Sequence, residues 1–204
     1  MDSPAMGKRI VLSLFLICGV SLSLPAAARW LELQAIVTDV LDGDNLRVVD
    51  RRRVVHLVRL SGIDAPELSQ LGGKAARDRL RELVLEKKIR IEHRYFDQKG
   101  RLLGRVFLPE PKGDTGEKNI WVNRIMLEEG HAWFADPDGD APELEAVESE
   151  ARRENRGIWK RSNPIPPWYW CRGVRIMRDE PVRPPRPRFP RYQSANEPKL
   201  LGGP

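Results

Sequence analysis

The chain has 204 residues, of which 41% are hydrophobic and 31% charged, and its formal net charge is +6. This length and hydrophobic content predict one domain with its own core and exclude two domains of comfortable size. Two cysteines are too few for a disulfide-rich scaffold, and the basic excess indicates either affinity for a polyanion or an ordinary solvated basic face.

The N-terminal segment has the pattern of a signal peptide over residues 1–28. Lys8 and Arg9 precede an apolar run at residues 10–24, which ends in Pro25 and three alanines. We expect cleavage after Ala28 and export, so that the mature chain is secreted or periplasmic and has no transmembrane segment. An uncleaved membrane anchor is the less favoured alternative, because the apolar run is short for a membrane span.

Alternating hydrophobic residues predict that the domain, residues 29–170, begins with strands at 31–37, 46–48 and 55–60. A hairpin turn at residues 50–53 joins the second and third strands, although it contains no glycine. If that turn centres on Arg51 and Arg52, Arg59 lies directly opposite Asp44, at about 5 Å between Cα atoms.

Helical and strand periods alternate in the rest of the domain. We predict a helix at 73–88, a strand hairpin at 89–96 and 102–108, a polar loop at 109–119, and helices at 122–129 and 142–156. The predicted fold class is therefore α+β, with β-strands as its main component. The order of elements predicts a five-stranded OB-fold barrel with three flanking helices.

The C-terminal segment, residues 171–204, is rich in proline and arginine and holds most of the net positive charge. Such a composition buries too little apolar surface to fold alone, so we predict a disordered tail. It is either an inert linker or a non-specific anchor for nucleic acid or an acidic envelope surface. The tail also contains Cys171. It is the only cysteine left after cleavage of the signal peptide, so the mature chain cannot form an intrachain disulfide.

Two acidic motifs flank the first hairpin and bring candidate chemistry to one end of it. Asp44 precedes the hairpin, and Asp64 and Glu67 follow it. Crowded carboxylates with one guanidinium, that of Arg59, are costly in a structural core. A hard divalent cation removes the conflict, because it binds carboxylate, carbonyl and water oxygens. Asp44 and Asp64 are the natural ligands, and Pro66 holds Glu67 where it would act on a nearby water as a base.

The motifs and their order resemble the staphylococcal nuclease (thermonuclease) family, that is, an SNase-like domain. The resemblance covers about residues 31–170, and its order and spacing make a chance match improbable. The matching segments are Val40-Leu41-Asp42-Gly43-Asp44, Val58-Arg59-Leu60, Gly62-Ile63-Asp64-Ala65-Pro66-Glu67, Gly100-Arg101, Trp121-Val122-Asn123, Gly130-His131-Ala132, Glu150-Ala151-Arg152 and Gly157-Ile158-Trp159.

The resemblance implies an endonuclease that uses one Ca²⁺ ion and hydrolyses DNA and RNA to products with 3′-phosphate and 5′-hydroxyl ends. It implies that the Asp44 and Asp64 carboxylates and the main-chain carbonyl of Ala65 hold the ion. By the same resemblance Glu67 is the general base, and Arg59 and Arg101 bind the phosphate. Two guanidiniums and a cation suit phosphoryl transfer, which depends on positioning and charge neutralisation.

Several positions depart from the family pattern or remain open to two interpretations. Asn45 replaces the usual threonine, a polar exchange that we expect to be tolerated, and Gln98 and Lys99 also differ from the best-known member. Trp133 and Phe134 are either core residues, the favoured interpretation, or platforms for a nucleobase. The rival functional class is a non-catalytic OB-fold module that binds nucleic acid or a protein. We expect a monomer without a stable protein partner.

Overall fold

The structure, a computed structural model, describes residues 30–109, 119–137, 139, 141–175 and 193–194. The predicted signal peptide, the polar loop at 110–118 and most of the predicted disordered tail lie outside these residues. The elements are β1 (Leu31–Val40), β2 (Asn45–Asp50), β3 (Val55–Leu60), β4 (Gly62–Asp64), α1 (Gly73–Val84), β5 (Lys88–Phe96), β6 (Leu102–Pro109), β7 (Asn119–Trp121), α2 (Val122–Glu128), β8 (Trp133–Ala135), α3 (Leu144–Arg153), a 3₁₀ turn (Gly157–Lys160), α4 (Pro167–Trp170) and β9 (Gln193–Ser194).

Five strands close into a barrel. β1 pairs antiparallel with both β2 and β5, β2 pairs with β3, and β5 pairs with β6. The barrel closes through a parallel pairing of β3 with β6. Short strands extend its rim, with β7 on β6 and β9 on β5, while β4 and β8 form a separate two-stranded sheet. The predicted five-stranded OB-fold barrel, flanked by α1, α2 and α3, is confirmed.

The core forms where the inward faces of the strands meet the helices. Ala35 and Val37 of β1 are buried, as the alternation predicted, and Leu33 packs against them. Helix α1 contributes Ala76, Leu80 and Val84 from one stripe of its surface to the same core.

The helices are shorter than predicted because left-handed residues stop them. Helix α1 ends at Val84, and Glu86 adopts a φ of 60°. Gly130, with a φ of 73°, follows α2, and Asn155 does the same after α3 with a φ of 52°. Among the described residues no helix is long and apolar enough to cross a membrane.

The predicted register of the first hairpin is wrong by one residue. Arg59 pairs with Asn45, not with Asp44. The loop has three residues, because Arg53 takes up the left-handed conformation with a φ of 63° and donates its N–H to the Asp50 carbonyl at 3.0 Å. Glycine is the usual residue at that position, so the sequence carried no sign of the extra residue.

The aromatic residues left open by the sequence belong to the core. Trp133 is 2% exposed and meets the Trp159 ring edge-on, with the ring centroids 5.3 Å apart. Phe134 is half-buried and packs against the main hydrophobic cluster. This confirms the favoured core interpretation for Trp133 and assigns Phe134 a packing role.

Candidate active site

Three segments bring charged residues to one mouth of the barrel. The loop between β1 and β2 carries Asp44, the end of β3 carries Arg59, and the end of β4 carries Asp64. The loop can approach so closely only because residue 43 is glycine. A Cβ atom there would lie 2.6 Å from the Cβ of Ala65, closer than side chains tolerate.

The loop holds its shape through the Asp42 carboxylate. Asp42 Oδ1 accepts hydrogen bonds from the Asp44 backbone N–H at 3.0 Å and from the Asn45 side-chain amide at 2.8 Å. The same amide donates to Asp44 Oδ1 at 2.5 Å. Asp42 therefore shapes the loop and, in the described part of the chain, has no hydrogen bond or ion pair to Arg59.

Arg59 lies between two buried carboxylates. Its Nη2 atom is 3.1 Å from Asp44 Oδ2 and 2.6 Å from Asp64 Oδ1. Asp44 is only 3% exposed and Asp64 8%. Asp44 Oδ2 also accepts a hydrogen bond from the backbone N–H of Ala65 at 3.1 Å, which ties the two acidic motifs together.

Burial makes the two carboxylates hard to ionise. Removal from water raises the pKa of Asp44 well above its ordinary value and raises the pKa of Asp64, although Arg59 opposes the shift in both. For Arg59, burial lowers the pKa but the two carboxylates more than reverse this, so the guanidinium stays charged. One positive charge thus faces two buried carboxyl groups, an imbalance that a further cation would relieve.

Arg101 belongs to the same cluster through Asn45. Its Nη1 donates to Asn45 Oδ1 at 2.5 Å, across a separation of 56 residues. Asp97 holds the other side of the guanidinium by accepting from Nε at 2.6 Å, and it also accepts from the Arg101 backbone N–H at 2.9 Å. Arg101 is therefore fixed at the barrel mouth before any substrate arrives.

Glu67 lies at the edge of the cluster on an exposed loop. Burial is the main cause that raises the pKa of Asp64, and the nearby Glu67 carboxylate adds to it. The Oε1 atom of Glu67 accepts a hydrogen bond from the Cys171 thiol at 3.3 Å. Of the predicted site residues, Asp44, Arg59 and Asp64 are in direct contact, Arg101 joins through Asn45, and Glu67 makes no direct hydrogen bond to them within the described residues.

A clamp formed by Gln70 holds the Glu67 loop. Gln70 Oε1 accepts from the Glu67 backbone N–H at 3.2 Å, and the Gln70 N–H donates to the Glu67 carbonyl at 2.7 Å. The Gln70 side-chain amide also donates to the carbonyl of Ile165, 95 residues later in the chain. At Gly73 any Cβ would overlap the Glu67 carbonyl oxygen, so the loop lies directly on the start of α1.

The two carboxylates fit one hard cation that takes only a few of its ligands from protein side chains. Both Asp44 and Asp64 reach the same guanidinium nitrogen, so their oxygens converge. No three His, Cys, Asp or Glu side chains surround one point in the part of the chain that the structure describes. Main-chain carbonyl and water oxygens would therefore complete the shell, as Ca²⁺ accepts and as soft metals do not.

Sequence reasoning missed three residues that organise this site. Asn45 was interpreted as a tolerated exchange, yet its amide connects Asp44 with Arg101. Asp97, in the turn between the predicted strands at 89–96 and 102–108, was assigned no role. Its position four residues before Arg101 is a recognisable signal, since Asp in turns accepts from backbone N–H groups two to four residues later. Cys171 gave no signal, because its contact with Glu67 spans 104 residues.

Comparison with known families bears on the same stretch of chain. The family model described as "Staphylococcal nuclease homologue" matches residues 57–161, which is about half of the chain. That match includes Arg59, Asp64, Glu67 and Arg101, whereas Asp44 precedes it.

Curated relatives cover more of the chain. An "Uncharacterized endonuclease" of Escherichia coli O157:H7 is 35% identical over 139 residues, which are 68% of this chain and 85% of that protein. A "Micrococcal nuclease" of Shigella flexneri is 39% identical over 155 residues, 74% of this chain and 85% of that protein. A "Probable staphylococcal-like nuclease CAN2" of Oryza sativa subsp. japonica is 36% identical over 128 residues, 63% of this chain and 32% of that protein.

Proposed function

The chain belongs to the staphylococcal nuclease family and is a phosphodiester hydrolase of that type, and we propose that it is an exported, Ca²⁺-dependent nuclease that leaves 3′-phosphate and 5′-hydroxyl ends. The observation that carries the proposal is the position of Arg59 between the buried carboxylates of Asp44 and Asp64. A non-catalytic OB-fold module has no need to bury this costly arrangement.

Asp44 and Asp64, with the main-chain carbonyl of Ala65, would hold one Ca²⁺ ion. When bound, the ion supplies positive charge that polarises a phosphoryl oxygen and stabilises the charge developing on it. The fit rests on the two buried carboxylates, whose oxygens converge on one guanidinium nitrogen and which share a single cationic partner among the described residues.

Arg59 and Arg101 bind the non-bridging oxygens of the scissile phosphate. A guanidinium suits this role because its planar fork donates two parallel hydrogen bonds and stays charged at any physiological pH. Asp97 and Asn45 fix the Arg101 guanidinium in advance, so little rotamer entropy is lost when the phosphate binds.

Glu67 acts as the general base. Its carboxylate takes a proton from the attacking water, the new bond forms between the water oxygen and phosphorus, and the bond from phosphorus to the 5′-oxygen breaks. The departing 5′-oxygen takes up a proton from solvent and leaves as the 5′-hydroxyl, while Glu67 later releases its proton to solvent. The exposed position of Glu67, on a loop clamped by Gln70, keeps the carboxylate in contact with water.

Incubation of the purified mature chain with end-labelled denatured DNA and with RNA, in Ca²⁺ or in chelator, tests the proposal. We expect cleavage only with Ca²⁺, and fragments whose 3′ ends become extendable by a polymerase only after phosphatase treatment. Asp44→Asn is the matched control and should be inactive in Ca²⁺. Intact polymers in both tubes would support the non-catalytic alternative, and cleavage in chelator would refute the calcium assignment.

Export is tested separately by fractionating cells that produce the full chain. A protein recovered from periplasm or medium with Arg29 as its first residue would support cleavage after Ala28. Recovery of the uncleaved chain in the membrane fraction would instead identify residues 1–28 as an anchor.

A further inference from the structure

A basic groove runs beside the loop that carries Glu67. It has a volume of about 1270 Å³ and lies between the segment Leu68–Ala75 and the segment after α3 that contains the 3₁₀ turn. This volume exceeds the range of about 300–1,000 Å³ typical of small-molecule pockets, so the groove suits a longer ligand. It is separate from the carboxylate cluster, since neither Asp44 nor Asp64 lines it.

The groove carries one sign of charge. No Asp or Glu is among its lining residues. Four cationic side chains line it, namely those of Lys74, Lys160, Arg161 and Arg175. All four are exposed, and within the described residues none makes an ion pair. Several arginines elsewhere on the surface are paired instead, since Arg47, Arg79 and Arg152 each lie within 3.2 Å of a carboxylate. A concave surface lined by unpaired positive charge concentrates polyanions.

An aromatic residue gives the groove a second feature of nucleic-acid sites. Trp170 lines it, half-buried, and its indole N–H donates to Ser69 Oγ at 3.3 Å. The Arg175 guanidinium lies 3.8 Å from the centre of the Trp170 ring, and its Nη1 donates to the Trp170 carbonyl at 2.8 Å. Stacked aromatic and guanidinium planes beside a cationic path are characteristic of proteins that bind single-stranded nucleic acid.

The groove adjoins the catalytic loop. Its wall begins at Leu68, directly after Glu67, and Cys171, which donates to Glu67, directly follows Trp170 of the lining. A polynucleotide chain whose scissile phosphate lies at Arg59 and Arg101 would therefore pass into this groove on leaving the barrel mouth.

We propose that this groove is a second substrate-binding site, which holds the sugar-phosphate backbone of a single-stranded polynucleotide beyond the bond being cleaved. The inference rests on the proposed nuclease function, and it adds a preference for long chains over short oligonucleotides. Lys74, Lys160 and Arg161 contribute affinity without touching the reacting phosphate.

The test compares two triple variants with equal loss of charge. The groove variant is Lys74→Ala, Lys160→Ala, Arg161→Ala. The control removes three exposed cations that lie outside the groove and make no ion pair among the described residues: Arg52→Ala, Lys87→Ala and Lys88→Ala. Binding of a fluorescent single-stranded oligonucleotide is measured by anisotropy in chelator over a series of salt concentrations, so that the result does not depend on cleavage.

We expect the groove variant to bind the oligonucleotide at least about tenfold more weakly at low salt, and its log–log salt slope to fall by about 2, since each phosphate contact on a single strand contributes about 0.7. In Ca²⁺, its KM for long denatured DNA should rise, while kcat/KM for a trinucleotide stays within about twofold of wild type. The control should match wild type in both assays.

Equal salt slopes for the groove and control variants would overturn the inference even if wild type is an active nuclease. Wild-type protein that binds the oligonucleotide through the groove but cleaves nothing would instead refute the proposed function. Tight binding to vesicles of anionic phospholipid that the groove variant loses, with oligonucleotide binding unchanged, would assign the groove to a membrane surface and overturn the proposal.

Discussion

Replacement of Arg59 should destabilise the fold as well as abolish activity, because this guanidinium neutralises two buried carboxylates. In the Arg59→Ala variant, Asp44 and Asp64 lose their only cationic partner among the described residues. Loss of one partner from a buried ion pair costs about 3–5 kcal/mol. We expect the lower end, about 3 kcal/mol, because both carboxyls already have raised pKa values and can take up protons.

The predicted loss depends on pH and on calcium. Protonated carboxyls need no countercharge, so the difference in stability between variant and wild type should narrow as the pH falls through the raised pKa values of Asp44 and Asp64. Ca²⁺ bound at the proposed site would supply the missing positive charge. It should therefore raise the melting temperature of Arg59→Ala by more than it raises that of wild type.

Urea and thermal unfolding, followed by tryptophan fluorescence in chelator and in saturating Ca²⁺, measure these effects. A loss of about 3 kcal/mol corresponds to a fall of about 6–12 °C in melting temperature for a domain of this size. Arg47→Ala is the matched control. Its ion pair with Asp39 is exposed, so it should lose at most about 1 kcal/mol. The reasoning is refuted if Arg59→Ala loses no more than this control, or if Ca²⁺ stabilises variant and wild type equally.

Three further variants test other parts of the account. Glu67→Gln should lower kcat by at least about 10²-fold with unchanged Ca²⁺ affinity by calorimetry, as expected for a general base; a large loss of affinity would make Glu67 a metal ligand. Gln70→Ala releases the Glu67 loop, so kcat should fall about tenfold in steady-state assays, and the unfolding free energy should fall by about 1–2 kcal/mol. A kcat equal to that of wild type would contradict the role of Gln70 in holding the loop. Hydrogen bonds from Arg79 hold the pKa of Glu129 below its ordinary value, so Arg79→Ala should lose about 0.5–1 kcal/mol of unfolding free energy at neutral pH. Denaturant titrations should show this difference from wild type closing as the pH falls through the depressed pKa, and a difference independent of pH would rule out the ion pair as its cause.

Periodicity was sufficient to predict the barrel, because each strand buries one face and each helix one stripe. The alternation of β1 and the stripe of α1 both reappear in the buried residues. The register of the first hairpin was not predictable in the same way. It depends on Arg53 adopting a left-handed conformation, which short-range sequence signals reserve for glycine and asparagine.

The acidic residues of the site were found because their motifs lie close together in sequence, on either side of one hairpin. The register error moved the backbone partner of Arg59 by one residue, yet Asp44 still reaches the guanidinium through its side chain at 3.1 Å. A long, flexible arginine tolerates such an error, whereas a shorter side chain would not.

Contacts that form when the barrel closes and when α4 docks could not be predicted from the sequence. Arg101 contacts Asn45 only because β6 pairs with β3. Cys171 contacts Glu67 only because α4 lies against the loop that contains Glu67 and Ser69. Neither contact has a periodicity or a short-range motif. The same reason explains why the cationic groove, assembled from residues far apart in sequence, was not anticipated.

Calorimetric titration of Ca²⁺ tests most directly whether the two buried carboxylates hold the catalytic ion. The purified mature chain is titrated in parallel with the Asp44→Asn and Asp64→Asn variants. We predict one ion per chain for wild type, loss of measurable binding in both variants, and loss of DNA cleavage in the same samples. Calcium affinity that is unchanged in both variants, or cleavage that persists when binding is lost, would contradict the account.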